Sequence, residues 1–215
     1  MRDSSRLLDH TVSEFARRLA SGDPTPGGGS AAALTGALGA SLVAMVARLT
    51  IGRPAYTEHE PEAQRLAERA DALATELLQL IETDAAAYEA VVEARRLPRD
   101  DPDAAEQRAM AVRSALVGAI DAPLRIARLG ADALALAARM AAIGNRNALS
   151  DVAVAADLAW SGLRGGLANV TINLPGLASD DPLRGELAPQ IAELEEIAAR
   201  GVDPVRAALA ARDAA

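Results

Sequence analysis

Asp84 is a carboxylate at a position where an apolar side chain is expected. From Pro61 to about Arg96 the chain carries an apolar stripe, Leu66, Ala70, Leu73, Leu77, Leu80 or Ile81, and then Val91. Its steps of three and four are those of one helix face. Asp84 and Tyr88 fall in the same stripe. A carboxylate on a buried face holds its proton more tightly than one in water, which suits it to act as a general acid or base near neutral pH. An ion pair with an arginine, or a cap on a neighbouring helix, would also account for it.

Three further groups could do chemistry. The first is Pro24-Thr25-Pro26-Gly27-Gly28-Gly29-Ser30, which runs straight into Ala31-Ala32-Ala33-Leu34. The prolines stiffen the entry, the glycines let a ligand approach the backbone, and Ser30 reads as the N-cap of a long apolar helix. Unpaired N–H groups and a partial positive charge at such a helix start suit a carboxylate, a phosphate or a developing oxyanion. The second group is Gly144-Asn145-Arg146-Asn147-Ala148-Leu149-Ser150-Asp151, with two amides, a guanidinium, a hydroxyl and a carboxylate in one turn. Turn-forming asparagines and a Ser150 or Asp151 cap are the structural alternative. The third is the pair Asn169 and Asn173, which share a face if their helix reaches that far. Their amides could read a heterocycle, or they could be a C-cap and a turn residue.

The elements that must position these groups are helices. Alanine, the best helix former, is abundant, and aromatic residues are limited to Phe15, Tyr56, Tyr88 and Trp160. No run of β-branched residues alternates with period two, so the fold class is all-α. Thr11-Val12-Ser13-Glu14 is a capping box for a first helix to about Ala20. A second helix runs from Ser30 to about Thr50, with Gly36, Gly39 and Ala40 allowing a close helix contact. A third runs from Pro61 to about Arg96. A fourth, from Asp101-Pro102 to about Ile143, must be kinked or split by Pro123. A fifth reaches about Val170, and a last one opens at Asp181-Pro182, with Pro189 and Gly201 as possible interruptions. The 215 residues form a single domain, an elongated bundle of about six helices, several of them long. Their Ala/Leu faces point to a homodimer or larger oligomer.

Composition excludes several chemistries. There is no cysteine and no lysine, and the only histidines are His10 and His59. Thiolate, Schiff-base and P-loop lysine chemistry are therefore absent, and a His-rich metal site is not available. A net charge of -8 argues against nucleic acid as a partner. The polar stretch Met1–His10 has no apolar core of a signal peptide, and the apolar run Ala31–Ala47 reads as a buried helix rather than a membrane span. A cytoplasmic location is expected.

Taken in order, these strings resemble the formiminotetrahydrofolate cyclodeaminase and methenyltetrahydrofolate cyclohydrolase family. The resemblance rests on Pro24 to Ala33, Gly36-Ala37-Leu38-Gly39-Ala40, Met45 to Gly52, Asp84-Ala85-Ala86-Ala87-Tyr88, Gly144 to Asp151 and Asn169 to Asn173. It implies an all-helical oligomer whose substrate is a reduced folate, bound in a cleft near a subunit interface, with neither metal nor redox cofactor. The implied reactions are ring closure of a formimino group on folate N5 with loss of ammonia, and hydrolysis of the methenyl bridge to 10-formyltetrahydrofolate. Family members often carry lysines where this chain has Gly52-Arg53-Pro54-Ala55-Tyr56, so Arg53 would stand in for them.

On these motif positions, Asp84 and Asp151 are the candidate proton carriers. The candidate substrate contacts are Pro26, Gly27, Gly28, Gly29, Ser30, Tyr88, Asn145, Arg146, Asn147, Ser150, Asn169 and Asn173. Arg48, Arg53 and Arg146 are the candidate cations for the acidic folate tail. A folate-binding chain without catalysis, and a helical scaffold with no small-molecule site, are the competing readings.

Overall fold

A computed structural model describes residues 6–213; residues 1–5 of the polar N-terminus and residues 214–215 lie outside the described residues. Every regular element among the described residues is helical. Helix α1 (Val12–Leu19) opens on the capping box: the Glu14 backbone N–H donates to the Thr11 hydroxyl at 3.3 Å, and the Thr11 N–H donates to the Glu14 carboxylate at 2.8 Å. The two longest helices, α3 (Glu60–Arg96) and α4 (Pro102–Ile143), contain 37 and 42 residues. At 1.5 Å per residue they extend about 55 and 63 Å, which makes the bundle elongated. Asp101 caps α4 by accepting the Ala104 N–H at 2.8 Å.

Helix α2 (Gly28–Thr50) is the central strut, packed against α3, α4 and α5 (Leu149–Asn173). It is long and apolar enough to cross a membrane, yet 61% of its most apolar window is buried in the bundle. Gly39, read from the sequence as a close-contact residue, and Gly162 on α5 set the spacing. A Cβ on Gly39 would stand 2.8 Å from the Ala155 carbonyl oxygen of α5, and one on Gly162 would stand 3.0 Å from the Ala32 carbonyl oxygen of α2. Helix α5 meets α4 just as closely, since a Cβ on Gly130 would lie 2.6 Å from the Leu163 nitrogen. Backbone therefore touches backbone on both sides of α5, and the core is filled mainly by Ala, Val, Leu and Ile, with Phe15 and Met140 buried among them.

Three helix boundaries differ from the sequence reading. Helix α2 begins two residues earlier than Ser30, with Gly27 as its N-cap. Ser30 sits inside the first turn, fully buried, because its hydroxyl finds partners on α3 instead of on its own backbone. Helix α4 is not split: it runs through Pro123 as one element. Proline returns no N–H to the Ala119 carbonyl one turn back. The Asn173 side chain supplies the missing donor, its Nδ2 reaching the Ala119 oxygen at 2.7 Å. Helix α5 runs on to Asn173, so Asn169 and Asn173 are helical neighbours rather than a cap and a turn residue.

The final helix expected from the sequence is divided. Helix α6 (Pro182–Arg200) tolerates Pro189 but ends at Gly201, whose φ of 57° suits glycine, and α7 (Asp203–Asp213) follows. Asp181 opens α6, with its carboxylate held by the Leu183 N–H at 3.1 Å and by Arg113 at 2.6 Å.

Candidate active site in the α2–α3–α5 cleft

Where α2 starts, its glycines face α3 and α5 without side chains. A Cβ on Gly29 would lie 2.7 Å from Asp84 Oδ2, and one on Gly28 would lie 3.6 Å from Asn169 Nδ2. Two successive glycines thus stand against two polar side chains from different helices. The loop before them is stiffened by Pro24 and by the buried Pro26, which follows a cis peptide bond. Together they wall a cavity of about 340 Å³. Its lining is Pro24, Thr25 and Gly27 to Gly29 from this corner, Asp84, Tyr88, Val91 and Arg95 from α3, Leu116 and Ala119 from α4, and Asn169, Ile172 and Asn173 from α5. A larger cavity of about 610 Å³ beside α1 is edged by charged residues from Asp9 to Asp23. It contains none of the motif residues.

Among the described residues, Asp84 is the only carboxylate in the wall of the 340 Å³ cavity. The Ser30 hydroxyl lies 3.1 Å from its Oδ2 and 3.2 Å from the Ile81 carbonyl oxygen, within donating reach of both. Burial raises the Asp84 pKa above the ordinary aspartate value, and the Ser30 hydroxyl and backbone N–H pull it part of the way back. No arginine pairs with Asp84 among the described residues. It does meet the first turn of a neighbouring helix, as the capping alternative requires, while also lining the cavity. The two descriptions hold together: Ser30 fixes the carboxylate at the cavity wall.

Asn169 and Asn173 reach the same cavity one turn apart, and each amide has its nitrogen committed. Asn169 Nδ2 donates to the Gly165 carbonyl at 2.8 Å, and Asn173 Nδ2 donates to Ala119. This orients the side chains and leaves their oxygens as the acceptors available to a ligand. Tyr88 is 46% exposed, with its ring at the cavity edge.

The Asn145 cluster does not reach this cavity within one chain. It packs against the other end of α2. The Asn145 N–H donates to the Thr50 hydroxyl at 2.9 Å, its Nδ2 donates to the Leu49 carbonyl at 2.9 Å, and its Oδ1 accepts the Asn147 N–H at 3.0 Å. The Arg146 N–H donates to the Tyr56 hydroxyl at 3.0 Å, and its guanidinium donates to the Arg212 carbonyl at 2.9 Å. Ser150 and Asp151 lie in the first turn of α5 at this same end, where neither side chain caps the helix. Arg48 pairs with Asp71, and Arg53 Nε donates to the Leu49 carbonyl at 2.8 Å. The 23 residues of α2 separate the two ends by about 35 Å at 1.5 Å per residue.

The family model for formiminotransferase-cyclodeaminase matches residues 11–193. The chain belongs to this family. Among the family's members, the methenyltetrahydrofolate cyclohydrolase of Methylorubrum extorquens is 39% identical over 191 residues, covering 89% of this chain and 90% of its own. The formimidoyltransferase-cyclodeaminase of Mus musculus is 35% identical over 174 residues, 81% of this chain, but this chain spans only 32% of that longer protein. The crystal structure of formiminotetrahydrofolate cyclodeaminase from Thermotoga maritima aligns with a TM-score of 0.85 and 28% identity, over 96% of this chain and 98% of its own.

Within this cyclodeaminase-family bundle, the motif strings thus divide into two places, and the first set lines the 340 Å³ cavity. The sequence reading missed Arg95, Leu116 and Ile172 in that cavity. Arg95 was within reach of the same stripe argument, since Asp84, Tyr88, Val91 and Arg95 are spaced by four, three and four. Leu116 lies on α4, and no spacing in the sequence links it to the other lining residues.

Proposed function

We propose that this chain acts on the one-carbon bridge of a reduced folate, with Asp84 moving the proton. The observation that carries this reading is a carboxylate of raised pKa in the wall of a cavity edged by two asparagines and the glycine start of α2. Methenyltetrahydrofolate hydrolysis is the preferred reaction, because the relative that matches at 39% identity over nearly its whole length is named for it. In that reaction ionised Asp84 takes a proton from water as the oxygen bonds to the methenyl carbon. The tetrahedral carbon then breaks its bond to N5, Asp84 returns its proton to N5, and the hydroxyl proton leaves to solvent as the formyl group forms on N10. A single carboxylate can serve both steps when its pKa lies near the working pH.

Cyclodeamination is the second reading, favoured by the Thermotoga maritima neighbour. There N10 attacks the carbon of the protonated formimino group, Asp84 takes the N10 proton, and it passes that proton to the NH2 group, which leaves as ammonia while the methenyl cation closes. Both reactions pass through a tetrahedral carbon at the same place. Neither step draws on a metal or a redox cofactor. Asn169 and Asn173 would accept hydrogen bonds from the pterin ring and hold it in register with Asp84.

A homodimer belongs to this reading. Helix α2 carries Leu38, Met45 and Leu49 at 48%, 37% and 39% exposure, spaced by seven and four on one face. Ile172, 75% exposed on α5, stands at the cavity edge. A second copy would cover such surfaces through an isologous contact. An antiparallel pairing of α2 helices would carry the Asn145 end of one copy toward the Asp84 end of the other. Incubation of the purified chain with methenyltetrahydrofolate, followed by loss of the methenyl absorbance above the spontaneous rate, tests the reaction. Ammonia release from formiminotetrahydrofolate tests the second reading. Folate binding without either turnover would leave an inactive binder, and no binding would leave a helical scaffold.

A further inference from the structure

We propose that Arg95, not Arg48, Arg53 or Arg146, grips the acidic tail of the substrate in the Asp84 cavity. This inference rests on the folate reading above and names the residue that selects the glutamyl end. Four observations support it.

Among the described residues, Arg95 is the only cation in the cavity wall and Asp84 the only carboxylate. A protein of net charge -8 has no long-range attraction for a dicarboxylate, so the cation must be local. Secondly, the guanidinium is available. It has no ion pair or hydrogen bond among the described residues, whereas Arg96 is held by Glu93 at 2.6 Å and Arg113 by Asp181 at 2.6 Å. Arg108 donates to the Arg95 carbonyl at 3.2 and 3.0 Å, which adds a second positive charge to this end of the cleft.

Thirdly, the three alternatives are already engaged within their own chain, Arg48 by Asp71, Arg53 by the Leu49 carbonyl and Arg146 by the Arg212 carbonyl. Fourthly, the spacing suits an elongated ligand. Asp84 and Arg95 are three helical turns apart on one face of α3, about 16 Å along the axis at 1.5 Å per residue. A reduced folate has its reacting nitrogens at one end, a benzoyl ring and amide in the middle, and glutamate carboxylates at the other end. Tyr88 and Val91 lie between Asp84 and Arg95, opposite the flat middle of such a molecule. A guanidinium can take a carboxylate with two parallel bonds, so Arg95 acts as a substrate-positioning and selectivity residue.

The test compares two probes: 5-formyltetrahydrofolate, and the same reduced pteroyl compound lacking glutamate. Calorimetry is run on the wild type, Arg95→Ala and Arg95→Lys, with circular dichroism to confirm folding; Arg95→Gln replaces the alanine variant if that one does not fold. Arg95→Ala is expected to weaken the full ligand by about tenfold to a hundredfold, the loss of a charge-assisted bond, while leaving the truncated ligand within about twofold. Arg95→Lys should recover part of the loss. Equal weakening of both probes, or no weakening of the full one, overturns the assignment while leaving the folate reading intact. Failure of the wild type to bind either probe removes the folate reading itself.

Discussion

Replacing Asn173 by alanine should destabilise the protein by an amount that depends on Pro123. The wild-type side chain closes a gap in another helix. Pro123 has no N–H for the Ala119 carbonyl, and Asn173 Nδ2 supplies one at 2.7 Å. Ala119 is 8% exposed, so water is a poor substitute. Leaving a buried carbonyl unpaired costs about 1–3 kcal/mol. For a chain of this size each kcal/mol lowers the melting temperature by about 2–4 °C, so Asn173→Ala should melt about 2–12 °C earlier. In a Pro123→Ala background, residue 123 regains its N–H and satisfies Ala119 from within α4. The same Asn173→Ala change should then cost only a few tenths of a kcal/mol, giving a coupling of about 1 kcal/mol or more. Urea denaturation of the four proteins closes the cycle. Equal losses in both backgrounds would show that Asn173 does not compensate for the proline.

Gly29→Ala forces a methyl group into the Asp84 carboxylate, where 2.7 Å separates the new carbon from Oδ2. It should cost about 1–3 kcal/mol and reduce turnover by displacing the acid, as a melting curve and a rate assay would report. Asn145→Ala breaks the bonds to Leu49 and Asn147, and is expected to lower stability by about 1–3 kcal/mol in urea titration. Leu38→Glu places a charge in the exposed stripe of α2; if the proposed dimer forms there, sedimentation should find the wild type dimeric and the variant monomeric. An unchanged oligomer would move the interface elsewhere.

Much of this architecture was legible in the chain because its causes are local. The Thr11 and Glu14 side chains cap their own helix, and the steps from Leu66 to Val91 define one face of α3. Gly36 and Gly39 mark a close contact whatever their partner is. The failures are long-range. Ser30 reads as an N-cap, but its hydroxyl belongs to Asp84 and Ile81, more than fifty residues away. Pro123 reads as a kink or a split; the helix is not split, and Asn173 supplies the missing donor from α5. Nothing in the spacing says that the Asn145 turn lies a full helix length from the glycine loop. Arg95 continues the spacing of Asp84, Tyr88 and Val91, but only the cavity beside it shows that this position belongs to a site. The family resemblance was legible because it rests on strings, and their order survives without any knowledge of distance.

The pH dependence of turnover in the wild type and in Asp84→Asn tests the central claim most directly. Burial raises the folded-state pKa of Asp84, so the folded protein binds this proton more tightly than the unfolded chain does. The stability from that proton is present at low pH and is lost as pH rises through the raised pKa. Asp84→Asn should therefore be at least as stable as the wild type at neutral pH. Turnover of methenyltetrahydrofolate in the wild type, after subtraction of the spontaneous rate, should rise with pH as Asp84 ionises. In Asp84→Asn that limb should vanish, with kcat at least about a hundredfold lower. A variant that keeps the wild-type rate and pH limb, or one that loses activity only because it unfolds, would contradict the assignment of Asp84 as the proton carrier.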